Sequence, residues 1–349
     1  MTTVRIAGRT IGHGHEPYII CELSGNHNGS LERALQMIEA AAATGADAIK
    51  IQTYTADTMT IDVDAPGFRI AGGLWDGRTL HDLYTEAHTP FEWHEAMFAK
   101  ARELGVTLFS TPFDETAVDL LAELGAPAYK IASFEAIDLP LIAYVARKGK
   151  PMIVSTGMAN REEIGEAVTT ARDNGCEELI LLHCTSAYPA PIVDANVRTI
   201  DLLAETFGCV AGLSDHTPGT AVSVAAVASG AAVIEKHFTL SRAEGGPDAA
   251  FSMEPGEFAA LVADCRNAWR ALGEPSFNLK GCEEGSLVFR RSLYVVEDVA
   301  AGEELTARNV RSIRPGFGMA PKHLPDVLGK RATRDLKRGQ PLASDMMKY

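Results

Sequence analysis

Three ionisable side chains stand in a row in "VIEKHFT" (residues 233–239), where Glu235, Lys236 and His237 follow Val233 and Ile234 directly. A related pattern occurs upstream in "CVAGLSDH", where an apolar run ends in Ser214, Asp215 and His216. Two imidazoles at equivalent depths on consecutive strands can converge on one divalent ion, leaving open positions for water or substrate oxygens. A lone histidine is more often a satisfied structural residue, so the metal reading rests on the pairing of His216 with His237. With no obvious third protein ligand, such a site would be open and Lewis-acidic. Lys50 and Lys130 supply positive charge, and Thr111, Ser133, Ser155, Ser186 and Ser214 supply hydroxyl donors. That combination suits a phosphate monoester, which needs charge neutralisation and several short hydrogen bonds. Glu22, beside these cations, can orient a water, accept a proton or hold a substrate hydroxyl.

These residues sit at the ends of short apolar runs. The runs are "PYIICELS" (17–24), "AIKIQTY" (48–54), "TLFSTPF" (107–113), "AYKIAS" (128–133), "PMIVSTG" (151–157), "LILLHCTS" (179–186), "CVAGLSDH" (209–216) and "AVIEKHFT" (232–239). Amphipathic segments such as "REEIGEAVTTARDNG" lie between them, and several stop at a glycine suited to a left-handed cap. Strand–helix alternation predicts parallel strands joined by right-handed crossovers. Eight such units in about 250 residues is the size of a (β/α)₈ barrel. A doubly wound sheet would bring a glycine-rich phosphate loop after an early strand, and none is present. A polar strand end taken singly is a solvated terminus; eight together predict a shared pocket on the C-terminal face of a barrel.

Composition narrows the function classes. A net charge of -14 argues against nucleic acid, whose phosphates demand a basic face, but leaves room for a small anion held by a few lysines. No apolar run approaches the roughly 20 residues of a membrane helix, and the N-terminus lacks a secretory signal pattern, so the cytoplasm is the expected compartment. Six scattered cysteines without a CxxC pair read as reduced thiols.

Two regions stand outside the alternation. Residues 64–94, "DAPGFRIAGGLWDGRTLHDLYTEAHTPFEWH", are too long and too glycine-rich for a tight connection and are expected to form a lid over the active face or a decorative insertion. Towards the C-terminus, "DVAAGEELTARNV" from Asp298 is echoed by "DLKRGQPLASDMM" from Asp335. Two copies predict a small pseudo-symmetric β-rich module, since one could not bury a core. Arg314 lies between them in "RSIRPGFGMAP", a loop suited to recognition. The expected organisation is a barrel over residues 1–270, a linker over 271–287 and the module over 288–349.

Taken together, "ELSGNHNGS", "KIQTYTADTMT", "STPFD", "KIASFE", "STGM", "HCTSAYP", "GLSDHT" and "IEKHFT" resemble the sialic acid synthase family along essentially the whole chain. The C-terminal module resembles the SAF, or antifreeze-protein-like, domain that this family carries. The resemblance implies a transferase that condenses phosphoenolpyruvate with an open-chain N-acetylated amino sugar, giving a nine-carbon ulosonic acid and phosphate. It places the metal histidines on His216 and His237, for a Mn²⁺- or Mg²⁺-type ion, and the acidic residue on Glu22. It places phosphoenolpyruvate contacts on Lys50, Gln52, Thr111, Lys130, Ser133, Ser155 and Ser214, and sugar contacts on Tyr188, Asp248 and Arg314. It also implies domain-swapped homodimers in which the SAF module covers the partner's barrel.

Departures bear on the sugar. Sialic acid synthases typically have Asn where this chain has Ser186, and "EIG" where it has "ELS". "QTYT-DTMT", "AHTP-EWH" and "CTSAYP" are more similar to the pseudaminic acid synthase branch, which implies 2,4-diacetamido-2,4,6-trideoxy-β-L-altropyranose as acceptor. Legionaminate and N-acetylneuraminate synthases are the alternatives within the family. Outside it stand a metal-dependent aldolase, which would release no phosphate, and a non-catalytic glycan-binding protein on an inert barrel.

Overall fold

All eight apolar runs become neighbouring staves of one closed parallel barrel in the computed structural model, which describes residues 2–348. A hairpin of β1 (Thr3–Ile6) and β2 (Arg9–Gly12) precedes the barrel. The staves are β3 (Tyr18–Glu22), β4 (Ala48–Thr53), β5 (Thr107–Pro112), β6 (Tyr129–Ile131), β7 (Met152–Ser155), β8 (Leu179–Cys184), β9 (Val210–Asp215) and β10 (Val233–His237). They pair in chain order, and β10 closes on β3. Both faces of each stave are covered, which is why the strands read as near-continuous apolar runs.

The helices of the barrel unit are α1 (Leu31–Ala43), α2 (Ala56–Met59), α3 (Leu80–Ala87), α4 (His94–Leu104), α5 (Glu115–Glu123), α6 (Leu139–Ala146), α7 (Arg161–Asp173), α8 (Thr199–Phe207), α9 (Ala221–Ala228) and α10 (Pro255–Leu272). Local chemistry marks their ends. Asn160 caps α7 in a reciprocal box with Glu163, and Gly105 ends α4 in the left-handed conformation, φ 69°. The segment between β4 and β5 carries two helices, α2 and α3, ahead of the crossover helix α4; the expected insertion, residues 64–94, holds α3 and ends where α4 begins, and α2 precedes it.

Two apolar layers result. The outer one packs strands against helices, with Met37, Ile38, Leu121, Ile142, Leu203 and Phe258 among its members. The inner one fills the barrel with Tyr18, Ile20, Phe109, Ile153, Ile180, Leu182 and Val233, joined from below by Val4, Ile6 and Ile11 of the hairpin. The hairpin is thus a plug for the end of the barrel opposite the strands' C-termini. Sequence reading did not anticipate it, although the alternation in "TVRIAGRTIG" about Ala7 and Gly8, both with positive φ, is a hairpin signal.

The two-residue period of a strand sorts the polar strand ends into two sets. Glu235 and His237 face the barrel interior, whereas Lys236 between them faces the helices. There its Nζ donates to Asp215 Oδ2 (2.7 Å) and Thr217 O (2.6 Å), and Ser223 of α9 donates to the same Asp215 oxygen (2.6 Å). Ser110 likewise turns away from the mouth and bonds Thr53 (2.6 Å) and Ile51 O (3.0 Å). Asp215, Lys236 and Ser110 are therefore fastenings of the barrel wall and not part of the shared pocket.

The chain divides into two compact units, Met1–Gly273 and Glu274–Tyr349. Because α10 runs to Leu272, Ala271 and Leu272 of the expected linker belong to the barrel's last helix, and residues 274–287 go with the second unit. The second unit carries β11 (Ser292–Val295) paired with β12 (Val310–Ile313) and β13 (Arg331–Ala332) paired with β14 (Met347–Lys348). Its sequence repeat is a structural repeat. Asp298 accepts from Arg338 N and Asp335 from Ala301 N, each at 2.8 Å, while Val299 and Leu336 exchange backbone hydrogen bonds. Gly302 and Gly339 make the matching left-handed turns, φ 80° and 89°. Val299, Leu305, Leu336 and Leu342 then meet in one small core. Among the described residues no helix is long and apolar enough to cross a membrane.

Removing one member of a buried ion pair strands its partner's charge. Lys236→Met is expected to lower unfolding stability by about 3–5 kcal/mol, and Lys236→Met with Asp215→Asn to recover much of it. Urea denaturation of the two variants checks this; a single variant as stable as the parent would show the pair to be dispensable.

Candidate active site

Strand register assembles the mouth. Glu22 at the end of β3 lies between His237 of β10 and Lys50 of β4. Gln52 is level with Thr111, and Ser214 is level with both Glu235 and Cys184. Glu22, Lys50, Thr111, Lys130, Ser155, Ser214, Glu235, His216 and His237 are all buried.

The deepest part is a network of alternating charge. Lys50 Nζ lies 2.9 Å from Glu22 Oε2 and 3.6 Å from Glu235 Oε1, and Lys130 Nζ lies 4.0 Å from the same Glu235 oxygen. Lys50 also donates to Thr111 Oγ1 (3.1 Å), and Lys130 to Ser155 Oγ (2.7 Å) and Ile131 O (3.0 Å). Ser214 donates to Glu235 Oε1 (3.0 Å), and Gln52 Nε2 to Glu22 Oε1 (2.9 Å). Burial is the largest single influence on each of the four ionisable groups, but it decides the direction at only two of them. It pushes the Glu22 carboxyl up, with Lys50 opposing, and the Lys130 ammonium down, with Glu235 opposing. At Glu235 and Lys50 burial is outweighed by charge: Lys130 and Lys50 hold Glu235 low, and Glu22 and Glu235 hold Lys50 high. Glu235 Oε2 is buried without a hydrogen-bond partner, so the network is built to receive another group.

Beside this cradle the Ser133 and Ser186 hydroxyls share a hydrogen bond of 2.9 Å. Gly157 makes that approach possible, since a Cβ there would collide with Ser186 Oγ and come within 2.6 Å of Cys184 Sγ.

His216 and His237 point into the mouth with ring centroids 5.5 Å apart. His216 donates through Nδ1–H to Thr185 O (3.0 Å), which leaves Nε2 with its lone pair. His237 Nδ1 is buried with no hydrogen-bond partner and lies 4.0 Å from Asp248 Oδ2. Burial holds both imidazoles below their ordinary pKa, His237 well below, and keeps them neutral as a metal ligand must be. The pair fits a divalent ion with open positions. Among the described residues no three His, Cys, Asp or Glu side chains gather to hold an ion unaided. Tyr188 covers the pair, its ring 4.5 Å from His216 and 6.4 Å from His237. Ser24 donates to Asp248 Oδ2, and burial raises the Asp248 carboxyl to about 6.

Above the charged floor opens a cavity of about 550 Å³ lined in part by Ser24, Gln52, Ser186, Tyr188, His237 and Asp248. Hollows of about 600 Å³ beside the N-terminal hairpin and about 500 Å³ along α8 and α9 collect none of the inward-facing strand-end groups. The segment expected to be a lid does line the cavity: Trp75 Nε1 donates to Pro247 O (2.8 Å), and its ring lies 6.0 Å from Tyr188.

The barrel thus brings together Glu22, Lys50, Gln52, Thr111, Lys130, Ser133, Ser155, Ser186, Tyr188, Ser214, His216, His237 and Asp248. Arg314 is exposed in the second unit, on the loop that follows β12. Sequence reading placed Glu235 among the polar strand ends without giving it a role, and passed over Ser24 and Glu135. The period of two in "IEKHFT" signals Glu235, which must share a face with His237; nothing local signals the other two.

A closed parallel barrel whose mouth gathers two neutral histidines beside buried lysines and hydroxyls defines the class: a (β/α)₈-barrel enzyme. Comparison with known proteins agrees with that class. Residues 37–276 match the NeuB family and residues 290–348 the SAF domain. The chain is 46% identical over 325 residues to a pseudaminic acid synthase of Campylobacter jejuni, covering 93% of this chain and 95% of that one. It is 43% identical to a pseudaminic acid synthase of Helicobacter pylori, covering 94% and 97%. Among solved structures, an N-acetylneuraminic acid synthetase of Leptospira borgpetersenii superposes with a TM-score of 0.73 at 31% identity, covering 82% of this chain and 95% of that one. The chain belongs to the NeuB family and carries its SAF domain.

Gly157→Ala is expected to push Ser186 out of place and weaken phosphoenolpyruvate binding about tenfold, the order of a core overpacking cost. Calorimetric titration reads this directly, and unchanged affinity would separate Ser186 from the anion site.

Proposed function

We propose that this enzyme is a phosphoenolpyruvate-dependent ulosonic acid synthase of the pseudaminic acid type. In this reading it joins phosphoenolpyruvate to 2,4-diacetamido-2,4,6-trideoxy-β-L-altropyranose and releases phosphate. The observation that carries the reaction class is the shared mouth: two lysines with hydroxyl partners at its floor, and a neutral histidine pair at its side. The sugar rests on the extent of similarity to relatives named as pseudaminic acid synthases.

Lys50 and Lys130 neutralise the phosphoryl and carboxylate charges, while Thr111, Ser133, Ser155, Ser186 and Ser214 donate to their oxygens. Gln52 and Glu235 keep Glu22 and the lysines aimed. His216 and His237 would hold a Mn²⁺- or Mg²⁺-type ion, which supplies Lewis acidity for the acceptor's carbonyl when bound. Tyr188 and Asp248 orient the open-chain sugar so that its aldehyde meets the C3 methylene of phosphoenolpyruvate. A new carbon–carbon bond forms, and cationic character develops at C2. Glu22, with its raised proton affinity, takes the proton from the water that adds at C2 and returns it to the alkoxide left by the aldehyde, and phosphate leaves from the tetrahedral centre with the proton of the new C2 hydroxyl as the ketone forms.

The working unit in this reading is a domain-swapped homodimer in the cytoplasm, with Arg314 of one copy's SAF module contacting the sugar in the other. The exposure of Arg314 and Phe317 on the module supports this.

Parallel phosphate-release assays with phosphoenolpyruvate, Mn²⁺ and a panel of hexosamines test the assignment. Release is expected with the diacetamido trideoxy sugar; silence with every sugar would sink the synthase reading, and release with N-acetylmannosamine alone would move the enzyme to the neuraminate branch. Chelation is expected to stop release and added Mn²⁺ to restore it. His216→Ala and His237→Ala should each lose about 10³-fold or more, the scale of losing a catalytic electrophile. Activity that survives both chelation and these substitutions would remove the metal.

A further inference from the structure

The outer arm of the active-site cavity differs chemically from its floor. Its wall comes mainly from the insertion between β4 and α4, with Met59, Ile70, Leu74 and Leu80 beside the rings of Tyr54 and Tyr84. Those rings stand edge-to-face, 5.8 Å between centroids, and Phe113 backs Tyr54 at 5.2 Å. The arm is preformed. Thr79 caps α3 by accepting from Asp82 N (3.2 Å), and the Trp75–Pro247 hydrogen bond ties the insertion to the loop that carries Asp248.

One carboxyl interrupts the apolar wall. Glu135, in the short turn Ser133–Glu135 after β6, lines the cavity, and its Oε2 is buried without a hydrogen-bond partner. Burial raises the group to about 7, with Lys130 opposing and Asp138 reinforcing the shift. An unpartnered buried acceptor is costly, and it becomes favourable once a ligand supplies an N–H or O–H donor.

We propose that this arm is the specificity pocket for the distal half of the acceptor sugar, with Glu135 accepting the N–H of its second acetamido group and the apolar wall taking the acetamido methyl and the deoxy terminus. The inference rests on the synthase reading and adds the residues that choose the sugar. With the reacting aldehyde at the histidine pair, the fourth and sixth carbons extend outwards into the arm. A hexosamine with hydroxyls at those carbons would press one of them against Leu80 and Ile70 without a partner, which disfavours it. The diacetamido trideoxy sugar matches the arm with a methyl at its end and an amide donor along its side.

The test uses the full-length enzyme and phosphate release with the diacetamido acceptor. Glu135→Ala is expected to raise the acceptor KM about tenfold or more, with kcat within about threefold and the phosphoenolpyruvate KM unchanged. Glu135→Gln, which keeps a carbonyl acceptor, should stay close to the parent. Leu80→Asn, at the half-exposed start of α3, keeps the fold and should raise the acceptor KM about fivefold. A change confined to kcat or to the phosphoenolpyruvate KM, or no change in either Ala or Asn variant, would overturn the pocket while leaving the synthase standing. Failure of the unsubstituted enzyme to release phosphate with any acceptor would overturn the synthase reading itself, and the pocket with it.

Discussion

Four ionised or ionisable side chains share a space that water does not reach. Lys50 touches both Glu22 and Glu235, and Lys130 faces Glu235 from the other side. Charges so deeply buried persist only because each has a partner and hydrogen bonds that hold its geometry. The consequence is a floor that keeps hydrogen-bonding capacity in reserve. Glu235 Oε2 lacks a donor, Lys130 has lost proton affinity to burial, and the surrounding hydroxyls can turn towards an incoming phosphoryl group.

The remainder of the barrel serves that floor. Below it, Val4, Ile6 and Ile11 close the cylinder so that the inner apolar layer stays dry. On the outside, Lys236 and Asp215 clamp β9 and β10 to each other and to α9, holding the strands that carry His216 and His237 in register. Above it, the insertion between β4 and α4 adds a wall of different polarity. The mouth thus has a charged base, with Lys50 and Lys130 against Glu22 and Glu235, and a largely apolar outer cavity walled by that insertion.

The architecture was legible because parallel strands buried on both faces leave long apolar runs, and because helices between them announce themselves with caps. All eight staves were visible, as was the two-copy module with Asp298 and Asp335 at matching turns. The short N-terminal hairpin was missed, since two four-residue strands give their alternation too few repeats to stand out. The roll of polar strand ends was over-inclusive for a related reason. Without a register, Lys236 and Ser110 look as much like pocket residues as His237 and Thr111 do.

Residue type and order alone determined the eight-fold alternation, the two histidines, the two lysines and the set of hydroxyls, because each strand end shows its own polar residues in its local sequence. Only the tertiary structure decided which of those groups meet. It set Glu22 against Lys50 across two strands, gave Glu235 to both lysines, and exposed Glu135 to the arm walled by a distant insertion. Closure of the barrel is the physical reason. It converts positions as far apart in the chain as Glu22 and His237, or Ser24 and Asp248, into close neighbours, and strips the charged ones of water so that they act on one another.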